Sequence, residues 1–212
     1  AGGAAGGAGH LFFSSLHFRN RDHYKKQAWT RNIRKYQIKP QRYAMNTAPT
    51  TSRHEFGGQF FTFRRLQSGD FNRGYGELLS QLTTIGDLNE EKFEARVALI
   101  NRCPNHVIQV LVDEDNDQVI ASVSVIVEYK FIHGAKNVGH LEDIVVGEKY
   151  RKLGLGKWLV SQAVQVAKDN ECYKIILDCA PKTKPFYEKN GFVEKGFEMA
   201  KYFTESHNHK LQ

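Results

Sequence analysis

Residues 151–157 are the most informative segment of the chain, and they read RKLGLGK. A predicted strand, His140–Val146, precedes this segment, and a predicted helix of about Leu155–Lys168 follows it. Glycines let the backbone adopt positive φ angles and approach a ligand closely, and the first N–H groups of a helix have no partner within the helix. Such a turn can cradle a pyrophosphate, with one arginine and two lysines adding positive charge. An ordinary glycine-containing turn between a strand and a helix is the alternative.

Two nucleotide-binding motifs are excluded for this loop. The dinucleotide pattern G-x-G-x-x-G is absent from it. A Walker loop would have Ser or Thr after its Gly-Lys pair, but here Gly156-Lys157 is followed by Trp158, which has no hydroxyl for Mg²⁺.

Strands and helices are predicted on both sides of the loop. The other predicted strands are Phe60–Leu66, His106–Val112, Gln118–Tyr129 and Tyr173–Cys179, with a final hairpin across Phe192–Phe203. The other predicted helices begin at Asp70, at Asn89 and at Lys184. This order predicts an α+β fold, in which helices cover both faces of a central mixed and mostly antiparallel sheet.

Further segments carry a family resemblance. Residues 185–192 read PFYEKNGF, and residues 139–146 read GHLEDIVV. The pattern R-x-x-G-x-G after a strand resembles the coenzyme A-binding signature of the GNAT (Gcn5-related N-acetyltransferase) superfamily, and PFYEKNGF resembles the second signature of that superfamily. GHLEDIVV is similar to a strand of the glucosamine-6-phosphate N-acetyltransferases. Three shorter segments resemble the same family: residues 82–86, 130–133 and 172–175.

The resemblance implies the GNAT fold and an acetyl-CoA-dependent enzyme without a metal. Its reaction would transfer the acetyl group to the 2-amino group of glucosamine 6-phosphate, on the route to UDP-N-acetylglucosamine. In this fold the strand Glu142–Val146 carries a bulge and splays from the strand Tyr173–Cys179. The thioester enters that gap, where the backbone N–H of Ile144 points at the acetyl oxygen. The resemblance also implies a homodimer whose C-terminal strands help to form the partner's sugar-phosphate site.

Four residues are the candidates for the chemistry. Tyr187 is the expected acid, because a neutral phenol can donate a proton to the departing thiolate. A packed core tyrosine is the alternative. Glu142 and Asp178 are carboxylates at or near apolar strand positions, where carboxylates are rare unless paired or functional. They can orient the substrate ammonium or take its proton, while Ile144 contributes its backbone.

The resemblance also assigns the two substrate sites. The residues expected at acetyl-CoA are Ile144, Val145, Val146, Arg151, Lys152, Leu153, Gly154, Leu155, Gly156, Lys157 and Tyr187. The residues expected at the amino sugar and its phosphate are Thr83, Lys130, Phe131, Ile132, His133, Glu142, Asp143, Tyr173, Lys174, Asp178, Lys201 and Tyr202. For Asp143 a surface ion pair is the alternative, because alternation along a strand places it opposite to Glu142. The family usually has an arginine where Tyr202 stands, and Lys201 can supply its charge but not its bidentate fork.

The N-terminal quarter of the 212-residue chain differs from the rest. The formal net charge is +7, but residues 1–54 hold ten Lys or Arg and one acid, whereas the remaining residues hold 20 bases and 22 acids. We therefore expect residues 1–54 to be a disordered basic extension, residues 55–205 to be the GNAT domain and residues 206–212 to be a polar tail. Upstream sequence, a transit peptide and a basic nucleic-acid arm stay open for the first 44 residues.

Three cysteines without a C-x-x-C spacing indicate neither a disulfide scaffold nor a zinc site. No apolar run approaches the roughly 20 residues needed to span a membrane. We expect a soluble, cytoplasmic homodimer that binds neither nucleic acid nor membrane. Two alternatives stay open: a GNAT enzyme that acetylates another small amine or a protein amine, and a non-catalytic acetyl-CoA-binding module.

Overall fold

The structure is a computed structural model, and it describes residues 51–203. The predicted disorder of residues 1–50 and the predicted tail at 206–212 lie outside the described residues. None of the helices within residues 51–203 has the length and apolar character needed to cross a membrane. No cluster of metal-ligating side chains occurs in this part of the chain.

Six strands form one sheet in the described part of the chain. They are β1 (Ser52–Phe56), β2 (Gln59–Arg65), β3 (His106–Asp113), β4 (Gln118–Glu128), β5 (Asn137–Val146) and β6 (Cys172–Ile176). The strands lie in the sheet in chain order, antiparallel from β1 to β5, and β6 is parallel to β5. The parallel pair is joined by a helix, because parallel strands need a crossover connection.

Five helices accompany the sheet in the same residues. They are α1 (Tyr75–Ser80), α2 (Glu90–Arg102), α3 (Ile132–Ala135), α4 (Leu155–Asp169) and α5 (Lys184–Glu188), with short 3-10 turns at Asp70–Arg73 and Glu148–Tyr150. The start of α2 agrees with the prediction. The side chain of Asn89 accepts a hydrogen bond from the backbone N–H of Lys92 at 3.0 Å, which caps the helix.

Helices cover both faces of the sheet, as predicted. On one face, called here the α4 face, α4 buries Leu155, Leu159 and Ala163, which are four residues apart and therefore share one side of the helix. On the other face, called here the helix-pair face, α1 and α2 bury an apolar cluster that includes Tyr75 and Val97. The predicted α+β architecture is therefore confirmed.

The first strand was missed by the sequence analysis. β1 begins at Ser52, so the predicted domain boundary between residues 54 and 55 falls inside a strand. Gly57 and Gly58 link β1 to β2, and both have positive φ angles (61° and 82°). A two-residue hairpin loop needs such angles, so this glycine pair was the available signal.

The predicted hairpin across Phe192–Phe203 is wrong for the described chain, because no strand occurs between residues 177 and 203. Phe197 and Met199 are each 91% exposed. Alternating apolar residues give a segment the period of a strand, but a strand also needs a partner with which to form hydrogen bonds. Two smaller differences concern element ends: β6 stops at Ile176, and the first predicted helix is interrupted at Gly74, which has a φ of 81°.

Candidate active site

A β-bulge interrupts β5 at the center of the candidate site. Ser124 of β4 pairs with Glu142, whereas Ser122 pairs with Val145. Two β5 residues, Asp143 and Ile144, therefore lie opposite a single β4 residue, and Asp143 has a φ of 44°. Bulged residues leave the ladder and bend the strand. The bulge that the resemblance implied is present.

β5 and β6 separate immediately next to this bulge. The two strands pair only from Asn137 to His140 on β5 and from Cys172 to Ile176 on β6. Beyond these pairs, residues 141–146 of β5 have no ladder partner on the β6 side within the described residues. The backbone at the bulge therefore has no hydrogen-bonded strand on its β6 side within the described residues, as the expected splay of the two strands requires. The gap beside β5 at the bulge is called here the slot.

Glu142 lies on the helix-pair face beside this slot. It is opposite Ser124, and directly paired residues in antiparallel strands project to the same face. Partial burial raises the pKa of the Glu142 carboxyl, and the negative charges of Asp143, Asp178 and Glu198 raise it further, while His140 acts in the opposite direction. Glu142 is therefore a better proton acceptor than an exposed glutamate.

The bulge changes the position expected for Asp143. Regular alternation would place Asp143 on the face opposite to Glu142. In the structure its charge reaches Tyr75, whose pKa is raised mainly by burial, and His106, whose pKa burial lowers. Tyr75 is part of the helix-pair cluster. The left-handed backbone at Asp143 thus places its charge among the groups on the Glu142 side of the sheet.

The predicted carboxylates come together, with one addition. Asp178 lies two residues past the end of β6 and is exposed, not buried as a strand position would suggest. It nevertheless acts electrostatically on Glu142, as does Glu198 from the C-terminal segment. Sequence reasoning missed Glu198, because no motif surrounds it. Together the carboxylates form an acidic site suited to an ammonium group.

Tyr187 is half-buried on α5 and packs against the core cluster of the α4 face, to which Ile144, Val146 and Leu177 also contribute. Its ring makes edge contacts with Phe186 and Phe192, with centroid distances of 5.1 and 5.9 Å. Burial raises the pKa of the Tyr187 phenol, and the nearby Cys179 thiol raises it further. The phenol therefore keeps its proton at neutral pH and can donate it.

The loop of residues 151–154 opens helix α4 with a backbone suited to an anion. Lys152 and Gly154 have positive φ angles of 78° and 80°, and no side chain caps the helix N-terminus. A Cβ atom built on Gly154 would meet nothing within 4 Å, so the space in front of the helix is open. Lys152 and Lys157 are exposed beside it. These features fit the pyrophosphate of acetyl-CoA, since helix N-termini bind phosphates through free N–H groups and the helix dipole.

Two hydrogen bonds and a group of ring contacts hold this loop in place. The Tyr150 hydroxyl donates a hydrogen bond to Asp113 at 2.6 Å, and burial together with this contact raises the pKa of Tyr150 to about 12. Arg151 Nε donates to the carbonyl of Val146 at 3.1 Å, which ties Arg151 to the end of β5. Ring contacts surround Trp158 in the first turns of α4, from His54 (4.6 Å), Phe56 (5.4 Å) and Phe63 (4.7 Å). The sequence analysis identified none of these anchors, and those of Tyr150 and Trp158 join distant segments.

The residues assigned to the amino sugar fall into separate groups. The ring of His133 contacts that of Tyr173 in a tilted arrangement with a centroid distance of 4.4 Å, and Lys174 Nζ lies 5.6 Å from the centroid of the same Tyr173 ring. Lys130 is paired with Glu128, which also contacts His140 at 3.1 Å. Phe131 and Ile132 are exposed beside His133, and Thr83 is exposed after α1. Lys201 and Tyr202 lie in the C-terminal segment that forms no strand in the described chain.

The comparisons with known proteins agree with this geometry. Residues 72–192 match the model of the acetyltransferase (GNAT) family. The chain belongs to the GNAT family. It is 40% identical over 144 residues to glucosamine 6-phosphate N-acetyltransferase of Arabidopsis thaliana, a match that covers 68% of this chain and 97% of the relative. The enzyme of the same name from Candida albicans is 38% identical over 141 residues, which is 66% of this chain and 95% of the relative.

A solved structure gives the same assignment. The crystal structure of glucosamine-6-phosphate N-acetyltransferase from Arabidopsis thaliana superposes with a TM-score of 0.65 at 39% identity, covering 68% of this chain and 99% of that chain. Within the GNAT family, the chain therefore belongs with the glucosamine 6-phosphate N-acetyltransferases. The GNAT fold implied by the sequence is confirmed.

Proposed function

We propose that this protein transfers the acetyl group of acetyl-CoA to the 2-amino group of D-glucosamine 6-phosphate, giving N-acetylglucosamine 6-phosphate and CoA. The observation that carries the proposal is the end of the β5–β6 ladder at the bulge, with Glu142 beside it and Tyr187 packed against the core cluster of the α4 face, to which Ile144 and Val146 of β5 also contribute. The relatives from Arabidopsis thaliana and Candida albicans bear the name of this activity. Acetyl-CoA supplies the acetyl group as an activated thioester.

Glu142 acts as the proton acceptor in this proposal. The sugar amine is an ammonium ion in solution and must lose a proton before its nitrogen can form a bond to the acetyl carbon. The acidic site of Glu142, Asp143 and Asp178 attracts the ammonium, and the raised pKa of Glu142 favors transfer of its proton to that carboxylate. Asp178, being exposed, orients the amine and connects the site to water.

The backbone at the bulge and Tyr187 serve the other end of the reaction. The N–H of Ile144 donates a hydrogen bond to the acetyl oxygen, where negative charge develops. As the new C–N bond forms and the C–S bond breaks, Tyr187 donates its phenolic proton to the sulfur. The amine loses its second proton as the amide forms. One of its two protons replaces the one that Tyr187 gave to the sulfur and the other is released to solvent, so the products are one amide, one thiol and one proton.

We further propose that the protein is a homodimer in the cytoplasm, with the C-terminal segment completing the site of the partner. Phe197, Met199 and Phe203 are almost fully exposed in the described chain. Within residues 51–203, β6 has a neighboring strand on one side only, and an unpaired edge strand is a template for pairing. Segment 197–203 has the alternation of a strand and can pair with a second copy. Lys201 or Tyr202 then approaches the phosphate of the sugar bound by the partner.

A thiol-release assay tests the proposed reaction. CoA release from acetyl-CoA is measured with glucosamine 6-phosphate, glucosamine and glucosamine 1-phosphate at equal concentration. The proposal expects the highest kcat/KM with glucosamine 6-phosphate. Equal release with and without an amino sugar would support a hydrolase, and the absence of release despite acetyl-CoA binding would support a non-catalytic acetyl-CoA-binding module.

A further inference from the structure

One hydrogen bond joins the two substrate sides of the molecule. The backbone N–H of Glu148 donates to Gln81 Oε1 at 2.8 Å, across 67 positions of the chain. Gln81 is the C-cap of α1 and directly precedes residues 82–86, the segment that resembles the acceptor side of the family. Glu148 begins the turn Glu148–Tyr150, which leads into the cofactor loop of residues 151–154. The contact therefore links the end of an acceptor-side helix to the start of the cofactor loop.

The surroundings of this hydrogen bond are open. A cavity of about 650 Å³ lies between α1 and the turn, and both Gln81 and Glu148 line it. Close-packed side chains fix the relative position of two elements, and a cavity does not. Buried Leu78 of α1 packs beside Gly147 and positions the body of the helix, whereas the end of the helix reaches the turn through the hydrogen bond between Gln81 and Glu148.

The other anchors of the turn come from the sheet. Tyr150 is bound to Asp113 on β3, and Arg151 is bound to the end of β5. Among the side-chain hydrogen bonds described for residues 148–151, the one from Gln81 is the one that comes from α1. A shift of the cofactor loop can thus reach the acceptor segment directly through Gln81.

We propose that Gln81 couples the two substrate sites, so that CoA at the cofactor loop strengthens binding of glucosamine 6-phosphate and the sugar strengthens binding of CoA. This inference rests on the proposed function, because the acceptor role of residues 82–86 comes from the family resemblance. By thermodynamic linkage, the sugar must change the affinity for CoA by the same factor by which CoA changes the affinity for the sugar. The net contribution of a typical hydrogen bond corresponds to a change of about two- to tenfold in a dissociation constant, which sets the expected size of the coupling. Gln81 acts as a positioning residue and contacts neither substrate.

Calorimetric titration with a pair of ligands that does not react measures this factor. CoA, which lacks the acetyl group, is titrated into the full chain with and without saturating glucosamine 6-phosphate. For the unaltered protein we expect the Kd of CoA to fall about two- to tenfold when the sugar is present. In Gln81→Leu, which has no acceptor oxygen, the ratio of the CoA Kd without the sugar to the CoA Kd with the sugar should fall to about one, and this ratio is the coupling factor. In Gln81→Glu, which keeps the oxygen, the factor should be retained.

Tyr150→Phe is the matched control, because it removes a hydrogen bond of the same turn that does not involve α1. It should weaken CoA binding equally with and without the sugar and leave the factor unchanged. The coupling is overturned if Gln81→Leu keeps the factor of the unaltered protein, if Tyr150→Phe loses it, or if the sugar binds and the factor is one from the start. These three results leave the proposed function intact. If glucosamine 6-phosphate does not bind at all, both proposals are overturned.

Discussion

Substitution of Glu142 by glutamine separates the chemical role of this residue from its effect on stability. The amide keeps the shape of the side chain but neither carries the charge nor accepts a proton at neutral pH. General acid–base catalysis contributes about 10²–10⁴-fold, and Asp143 and Asp178 remain close enough to act on the site. We therefore expect kcat to fall about 10²–10³-fold, in the lower part of that range, with a smaller change in the KM for acetyl-CoA.

The pH dependence follows from the direction of the pKa shift. The pKa of Glu142 lies above its ordinary value of 4.5, so the activity of the unaltered enzyme should fall as the pH drops through this raised pKa and the carboxylate becomes protonated. Glu142→Gln should lack this acid limb. The assay is CoA release across a pH series with glucosamine 6-phosphate as acceptor.

Stability should change in the opposite direction to activity. A carboxyl whose pKa is raised by folding binds its proton more tightly in the folded state, so its contribution to stability is full below the unfolded pKa and is lost as the pH rises through the folded pKa. Ionised Glu142 thus lowers stability at neutral pH, and Glu142→Gln should have an equal or higher Tm there. The difference should vanish below about pH 4.5.

Glu55→Gln is the control for charge alone, because Glu55 is an exposed carboxylate on β1, away from the slot. It should leave kcat and its pH dependence unchanged. The reasoning is refuted if Glu142→Gln keeps activity within a few-fold of the unaltered enzyme and retains the same acid limb. A large drop in Tm at neutral pH would instead indicate a structural role for Glu142.

Other substitutions test the remaining parts of the site. Tyr187→Phe should lower kcat on the order of 10²-fold while the Kd of acetyl-CoA barely changes, and unchanged turnover across the pH range would remove the phenol from the mechanism. Deletion of residues 1–50 should leave steady-state kinetics intact, whereas deletion of residues 1–57 removes β1 and its ring contacts with α4, and should lower Tm. Equal Tm values for the two truncations would contradict the role given to β1. Tyr202→Arg should lower the KM for glucosamine 6-phosphate and hardly affect that for glucosamine, and sedimentation of the protein as a monomer would contradict the dimer.

The parts of the fold that the sequence predicts are those fixed by local chemistry. The glycines and charges of residues 151–157 predict the turn before α4, and Asn89 predicts the start of α2 through its capping side chain. The strands β3 to β5 are recognised by their apolar runs. The glycine pair at residues 57 and 58 was an equally local signal for β1, but it lies beside a basic segment that suggested a disordered extension.

The parts that the sequence did not predict depend on contacts between distant residues. The anchor between Tyr150 and Asp113 and the link between Gln81 and Glu148 have no local pattern, because each partner belongs to a different element. The bulge at Asp143 was expected only from the family resemblance, since a non-glycine residue at positive φ has no sequence signature here. The C-terminal hairpin failed for the related reason that alternation does not specify a pairing partner.

The most direct test of the proposed function is a competition experiment. The enzyme receives limiting acetyl-CoA together with equal concentrations of glucosamine 6-phosphate, glucosamine and a lysine-containing peptide, and the acetylated products are quantified by mass spectrometry. The account predicts that N-acetylglucosamine 6-phosphate dominates, because the carboxylates beside the bulge attract the amine and the cations assigned to the amino sugar attract its phosphate. Predominant acetylation of the peptide, or equal acetylation of the two sugars, would contradict it.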